Sequence, residues 1–133
     1  MNIEALEKWH FELTEEACGR LLELVLAGKK RATSSSLEAF ALSGEKLPKE
    51  GEMSVITDWD GNPRCVIRTV RVRILPYKHV TFEMAKLEGE DETLGSWRRN
   101  HERFFREEGE ALGYRFSDDM QVVFEEFEAV EYL

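Results

Sequence analysis

The chain has 133 residues, a length that suits one domain with one hydrophobic core. Its formal net charge of -9 excludes the broad basic surface on which non-specific binding to duplex nucleic acid depends. The apolar runs are far shorter than the ~18 residues of a membrane-spanning helix, and the N-terminus does not read as a secretory signal. We therefore expect a single cytoplasmic domain over residues 1–133, with no membrane partner.

The first half of the chain predicts two helices followed by two strands. Residues Thr14–Ala27 combine a capping threonine with an apolar stripe at helical spacing, and Gly28 suits the left-handed position that ends a helix. Residues Ser35–Glu38 match a capping box, which predicts a second, short helix. Met53–Thr57 and Cys65–Leu75 read as strands, with a turn between them. In the second strand we expect Val66, Val70, Val72 and Ile74 to share one face.

The second half predicts a short helix, a long helix and a final strand. The short helix covers Thr81–Leu87 and leads into an acidic loop over Glu88–Glu92. Thr93 then caps a helix that ends near Gly113. The strand Met120–Tyr132 loses its alternation near Glu125, which indicates a bulge. Strands and inserted helices in this order predict an α+β fold, most simply a small mixed β-barrel with flanking helices.

Chemically active side chains are concentrated between Gly28 and Ser36, where three cations precede four hydroxyl groups. One interpretation is structural: a basic helix end complements the helix dipole, and a polar loop caps the next helix. The other is that one lysine points into a cleft, where burial and the neighbouring cations lower its pKa so that the amine acts as a base. Residues three apart face opposite sides of a strand, so Lys30 and Thr33 meet only if the backbone bends between them.

The order G-x-K-x-x-T, formed by Gly28, Lys30 and Thr33 after an amphipathic helix, resembles the motif of ASCH domains, a branch of the PUA-like β-barrels. Further matching residues extend over nearly the whole length: Trp9, Phe11, Leu47-Pro48, Gly51, Asp58, Gly61, Pro63 to Ile67, Glu88 to Asp91, Trp97-Arg98, His101, Phe104-Phe105, Val122-Val123 and Phe127. Two features depart from the pattern. Glu12 replaces a glycine, and the acidic loop is one residue short.

The resemblance implies a function, because one branch of the family removes the acyl group from N(4)-acetylcytidine with a lysine, a threonine and a glutamate. By position these are Lys30 as the base, Thr33 as the nucleophile, and Glu90 as the acid with Glu88 as the alternative. The side chains expected to contact the substrate are Lys29, Arg31, Ser34, Trp59 and Arg71. The implied partner is a small nucleoside or a short single-stranded RNA.

Two other functions stay open at the level of sequence. PUA-like relatives bind RNA, and some ASCH proteins resemble metal-independent ribonucleases that act on single strands. ASCH domains attached to transcriptional coactivators resemble non-catalytic interaction modules. The sequence also does not indicate a cofactor, and it does not indicate a metal site, because His10, His79 and His101 are far apart in sequence. His101 and Trp97, one helical turn apart, are expected to anchor the long helix through internal hydrogen bonds.

Overall fold

The computed structural model describes residues 2–133, in which five strands and four α-helices follow the order β1, α1, β2, α2, β3, β4, α3, α4, β5. The strands are β1 (Lys8–Trp9), β2 (Ala32–Ser36), β3 (Met53–Thr57), β4 (Pro63–Pro76) and β5 (Gln121–Tyr132). The helices are α1 (Glu15–Leu26), α2 (Leu37–Ser43), α3 (Phe82–Leu87) and α4 (Leu94–Leu112). Within the described residues, none of these helices combines the length and the apolar character that crossing a membrane requires.

Hydroxyl side chains begin all four helices, each by accepting a hydrogen bond from the backbone N–H three residues later. The capping residues are Thr14, Ser36, Thr81 and Thr93. The predicted starts of α1, α3 and α4 are confirmed. The start of α2 lies one residue later than predicted, because residues up to Ser36 are extended and pair with β5 as strand β2.

The sheet has the order β1-β3-β4-β5-β2, in which β1 and β3 are parallel and the other neighbours are antiparallel. The α+β class is confirmed, but the predicted closure into a barrel is wrong. The edge strands β1 and β2 do not pair with each other among the described residues, because segments from both edges line a large cavity instead. β1 is also only two residues long, which leaves little backbone for further pairing.

A bulge in the long hairpin of β4 and β5 changes which side chains are buried. The register shifts between Thr69 and Arg71, opposite Phe127 and Glu126. The extra residue, Val70, is left unpaired, so the alternation changes phase. The predicted face of four apolar residues is therefore wrong in part: Val66 is buried, whereas Val70 and Ile74 are exposed.

The apolar core has two parts, and the G-x-K-x-x-T segment connects them. One part joins α1 to β3 and β4, and includes Val25 and Ile67. The other joins α3, α4 and β5, and includes Trp97 together with Ala32 of β2. The chain therefore leaves one part of the core at the end of α1 and enters the other at β2, which draws Lys30 into the interior.

The acidic loop after α3 packs directly on this segment. The Arg31 backbone N–H donates to the Leu87 carbonyl at 2.8 Å. Gly89 has a φ of 71°, and a Cβ there would lie 2.3 Å from the Lys29 carbonyl oxygen. Only glycine fits this approach, because an added methyl group would collide with backbone rather than with a movable side chain.

We expect Gly89→Ala to lower the free energy of unfolding by about 2–4 kcal/mol, since it adds a backbone collision to the strain of a positive φ. Gly61→Ala is the matched control, because Gly61 has a φ of 90° with no atom within 4 Å of an added Cβ. Gly61→Ala should lower the free energy of unfolding by about 1 kcal/mol. Equilibrium urea unfolding measures both, and equal losses would contradict the close packing of the loop.

Candidate active site

Lys30 is buried between α1 and β2, and the whole site is arranged around its ammonium group. Only 2% of the residue is exposed. Its Nζ donates to the Ala32 carbonyl at 2.9 Å, to Glu90 Oε2 at 2.5 Å and to Glu88 Oε1 at 3.4 Å. The three contacts match the three hydrogens of an ammonium group. The charge also lies 5.4 Å from the centre of the Phe11 ring.

Glu88 is the common acceptor that joins the elements of the site. Besides Lys30, it accepts from Ser34 Oγ at 2.8 Å, from Trp97 Nε1 at 2.7 Å and from His101 Nε2 at 3.0 Å. The expected internal bonding of Trp97 and His101 is therefore confirmed, and their partner is a carboxylate beside Lys30. Trp97 and His101 are one turn apart on α4, so both rings reach the same carboxylate.

Both ring nitrogens of His101 face acceptors. Nδ1 lies 2.9 Å from the Trp97 carbonyl, and Nε2 faces Glu88. Both nitrogens can donate only when the ring is a cation. Burial acts to lower the pKa of His101, but the negative charge of Glu88 and its hydrogen bond outweigh burial and hold this pKa above its usual value.

The same competition sets the ionisation of Lys30 and Glu88. Burial disfavours the ammonium of Lys30, but the charges of Glu90 and Glu88 outweigh it and raise the pKa. The expectation that Lys29 and Arg31 lower this pKa is wrong, because both side chains are exposed to water while the carboxylates touch the amine. For Glu88, the charges of His101 and Lys30 and several hydrogen bonds overcome burial and lower the pKa.

Glu90 differs from Glu88 in its surroundings. It lies nearer the solvent, with 16% of its side chain exposed. Burial and the negative charge of Glu88 raise its pKa, although Lys30 acts in the opposite direction. With all four groups ionised, the two positive and two negative charges balance. The Glu90 carboxylate is also the hydrogen-bonded group nearest to the Lys30 ammonium, so it is the direct acceptor for a proton that leaves Lys30.

Glu88, Glu90 and His101 each offer a ligand atom, and these atoms lie within 4.8 Å of one another. The sequence did not indicate this grouping, because the helix and the loop meet only in the fold. The Lys30 ammonium already bridges the two carboxylates, and His101 Nε2 faces Glu88. A metal ion would have to displace the charges that now balance these carboxylates.

A cavity of about 470 Å³ opens onto the cluster. Lys30, Thr33 and Glu90, together with Glu88 and Ser34, line it, so the fold brings the predicted catalytic residues into one space. Gly28 has a φ of 76° ahead of Lys30, and β2 begins at Ala32, whereas the bend between Lys30 and Thr33 stays a prediction. Within residues 2–133 no hydrogen bond joins Lys30 to Thr33, and Thr33 lines both this cavity and a second, adjoining one.

Several residues predicted to contact the substrate lie elsewhere. Lys29, Arg31 and Arg71 are exposed and do not line this cavity. Trp59 lies in the turn before β4 and packs edge to face against His10, with ring centroids 5.0 Å apart. The Ser34 hydroxyl lines the cavity but donates to Glu88.

Other residues on the cavity rim were missed by the sequence analysis. The rim includes Arg20 from α1 and Asn100 and Arg103 from α4, and the wall includes the rings of Phe11 and Phe104. Asn100, Arg103 and Phe104 recur at helical spacing beside His101. That spacing was a signal that could have placed the three residues on one stripe of α4.

Comparison with protein families shows that the ASCH domain matches residues 7–131. The chain belongs to the ASCH domain family. This membership supports a function related to RNA or nucleosides in general. It also confirms the resemblance drawn from Gly28, Lys30 and Thr33.

Solved structures agree with the assignment. A protein of Enterococcus faecalis V583, from a family described as DUF984, is 38% identical with a TM-score of 0.87, over 95% of this chain and 77% of that one. An ASCH domain from Lactobacillus crispatus JV V101 is 34% identical with a TM-score of 0.84, over 93% of this chain and 79% of that one. Comparison with curated proteins finds no match.

We expect nuclear magnetic resonance titration to find the pKa of His101 above its ordinary value of about 6.5. Glu88→Gln should lower this pKa, because the facing negative charge is lost. Glu102→Gln, on the exposed side of α4, should leave it unchanged. A pKa that does not respond to Glu88→Gln would contradict this pairing.

The same pairing predicts how stability depends on pH. A folded pKa raised above the unfolded one contributes stability that is fully present below about pH 6.5 and is lost as the pH rises through the folded pKa. The free energy of unfolding of the wild type should therefore fall over that range. In Glu88→Gln this fall should be smaller, as measured by urea unfolding at a series of pH values.

Proposed function

We propose that this protein is an amidohydrolase that removes the acyl group from an N(4)-acylated cytidine. The observation that carries the proposal is that Thr33 and the buried Lys30–Glu90 pair line one cavity. A hydroxyl nucleophile needs a group that takes its proton, and Lys30 is the candidate in this cavity. The family supports a nucleoside as the class of substrate.

Because Lys30 carries a proton at rest, the first step must move that proton. The 2.5 Å contact from Nζ to Glu90 Oε2 supplies the path. When Glu90 takes the proton, the neutral Lys30 amine can accept the proton of Thr33. The three acceptors around Nζ are then no longer all required, and the 3.4 Å contact with Glu88 is the longest and the easiest to exchange for Thr33.

The Thr33 oxygen then forms a bond to the acyl carbonyl carbon, and the bond from that carbon to the N4 nitrogen breaks. Glu90 returns its proton to the departing amine, which leaves as cytidine. Lys30 is again an ammonium and Glu90 a carboxylate. A general acid and base of this kind typically contributes about 10²- to 10⁴-fold in rate.

Water completes the cycle by hydrolysing the ester on Thr33. Glu90 again takes a proton from Lys30, and the amine takes one from the water molecule. The resulting hydroxide attacks the ester carbon, the bond to the Thr33 oxygen breaks, and that oxygen takes the proton from Lys30. The acyl group leaves as a carboxylic acid, and the proton held by Glu90 passes back to Lys30.

The walls of the cavity suit a nucleoside. Its volume of about 470 Å³ lies within the range of small-ligand sites. The rings of Phe11 and Phe104 offer faces on which a pyrimidine can stack. Asn100 on the rim supplies both a donor and an acceptor for its polar edge.

We expect Thr33→Val to reduce kcat for N(4)-acetylcytidine by at least about 10³-fold, because the variant keeps the shape but lacks the nucleophile. Thr33→Ser is the matched control, since it keeps a hydroxyl and should retain measurable turnover. Thermal unfolding of both variants checks that they fold. Equal activity in Thr33→Val and the wild type would exclude Thr33 as the nucleophile.

A second candidate is activity on single-stranded RNA, which Arg20 and Arg103 favour because two guanidinium groups at the rim can hold phosphate. Here the net charge of -9 limits the footprint to a few nucleotides.

Salt distinguishes the two functions. Raising sodium chloride from 50 to about 300 mM should change kcat/KM for a neutral acylated nucleoside by less than about twofold, whereas phosphate-driven RNA binding falls steeply with salt. Cleavage of labelled single-stranded RNA that decreases steeply as salt rises would favour the ribonuclease, provided that no acylated nucleoside is turned over. The absence of both activities would favour the interaction module.

A further inference from the structure

A second cavity, of about 490 Å³, adjoins the first. The two share part of their lining, including Phe11, Thr33, Ser34 and Phe104. The segment around β1 forms one side of this cavity, and β2 with α2 forms the other. It therefore occupies the gap between the two edge strands of the open sheet.

The charge of this cavity is strongly negative. Six glutamates line it: Glu7, Glu12, Glu45, Glu52, Glu108 and Glu125. Only two lysines, Lys8 and Lys46, face them, and the Lys8 ammonium donates to the Ile3 and Leu6 carbonyls. Within the described residues none of the six glutamates forms an ion pair.

Glu125 places a nearly buried carboxyl group in this cavity, next to Thr33 on the neighbouring strand. Only 9% of the residue is exposed. Its Oε2 accepts from Thr69 Oγ1 at 2.7 Å, while its Oε1 has no hydrogen bond among residues 2–133. Glu125 is also the cross-strand partner of Thr33, and the Cβ atoms of such partners are typically about 4.5–5.5 Å apart.

The glutamates repel one another. Burial raises the pKa of Glu125, and the charges of Glu52 and Glu7 raise it further. Burial likewise raises the pKa of Glu108, and Glu45 and Glu12 add to the effect. A bound cation would relieve this repulsion.

The walls select the kind of cation. Trp9, Phe11, Phe40 and Phe104 all line the cavity, and the Trp9 and Phe11 rings meet edge to face with centroids 4.9 Å apart. An organic ammonium combines a charge with carbon atoms that pack on aromatic rings. A hydrated divalent ion instead requires oxygen ligands throughout its shell.

We propose that this acidic, aromatic-walled cavity binds a primary ammonium group at the end of the acyl chain, so that the preferred substrate is an N(4)-aminoacyl cytidine. The assignment to an acyl chain rests on the function proposed above, because it places the scissile carbonyl at Thr33. Since Glu125 is the cross-strand neighbour of Thr33, the chain between carbonyl and ammonium is short, of the length of 3-aminopropanoyl.

Binding is tested without any hydrolysis. The probes are 3-aminopropanamide and butanamide, which have the same shape but differ in charge, titrated by nuclear magnetic resonance at constant ionic strength. We expect the amine to bind at least about tenfold more tightly. Glu125→Gln and Glu108→Gln should each reduce this preference severalfold, whereas Glu110→Gln, outside the cavity lining, should retain it.

Three results would overturn the cation site. These are equal affinity for the two amides, a preference that persists in both Glu125→Gln and Glu108→Gln, or calcium chloride displacing the amine at equal concentration. Thermal unfolding of each variant shows whether it is folded. Two separate cavity variants keep the test decisive if one of them does not fold.

Catalysis is tested with N(4)-(3-aminopropanoyl)cytidine and N(4)-butanoylcytidine. We expect kcat/KM to be at least about tenfold higher for the first, and the ratio to fall in Glu125→Gln. Binding of 3-aminopropanamide without hydrolysis of any acylcytidine would support the proposed cation site and exclude the proposed amidohydrolase activity. Hydrolysis of both substrates at the same kcat/KM would retain the amidohydrolase and reject the aminoacyl preference.

Discussion

The rest of the site depends on one interaction, the burial of the Lys30 ammonium between Glu88 and Glu90. A buried charge is stable only when it is paired and hydrogen-bonded, so these contacts constrain every element that supplies them. Gly89 must be a glycine for the acidic loop to approach, and α4 must present Trp97 and His101 to Glu88. Removing one charged side chain of the cluster would leave the opposite charge of its partner buried and unpaired.

The balanced cluster explains how one lysine could serve both as a stable core residue and as a base. At rest its charge is held by two carboxylates. The shorter contact, to Glu90, also offers a route by which the proton can leave, and Glu90 is the carboxylate nearer the solvent. In the proposed mechanism Glu88 is a positioning residue, because its oxygens are occupied by Ser34, Trp97 and His101.

The open sheet connects this chemistry to recognition. If the edge strands had paired, no space would remain between them, and Glu125 would face packed side chains. Thr33 lines both of two adjoining cavities, and β1 and β2 stay apart at the second one. Cations and carboxylates are balanced in the first cavity, whereas glutamates dominate the second, so the two differ in charge.

The starts of the helices and the order of the candidate catalytic residues can be read from the sequence. Hydroxyl caps such as Thr14 and Thr93 start helices through contacts within one turn, and the order of Gly28, Lys30 and Thr33 carried the family resemblance. Other features depend on contacts between segments that are distant in the chain. A bulge changed the phase of β4, the edge strands stayed open, and Glu88 and His101, distant in sequence, set the charge of Lys30. Electrostatic energy depends on distances in space and on exclusion of water, and neither can be read from the order of residues.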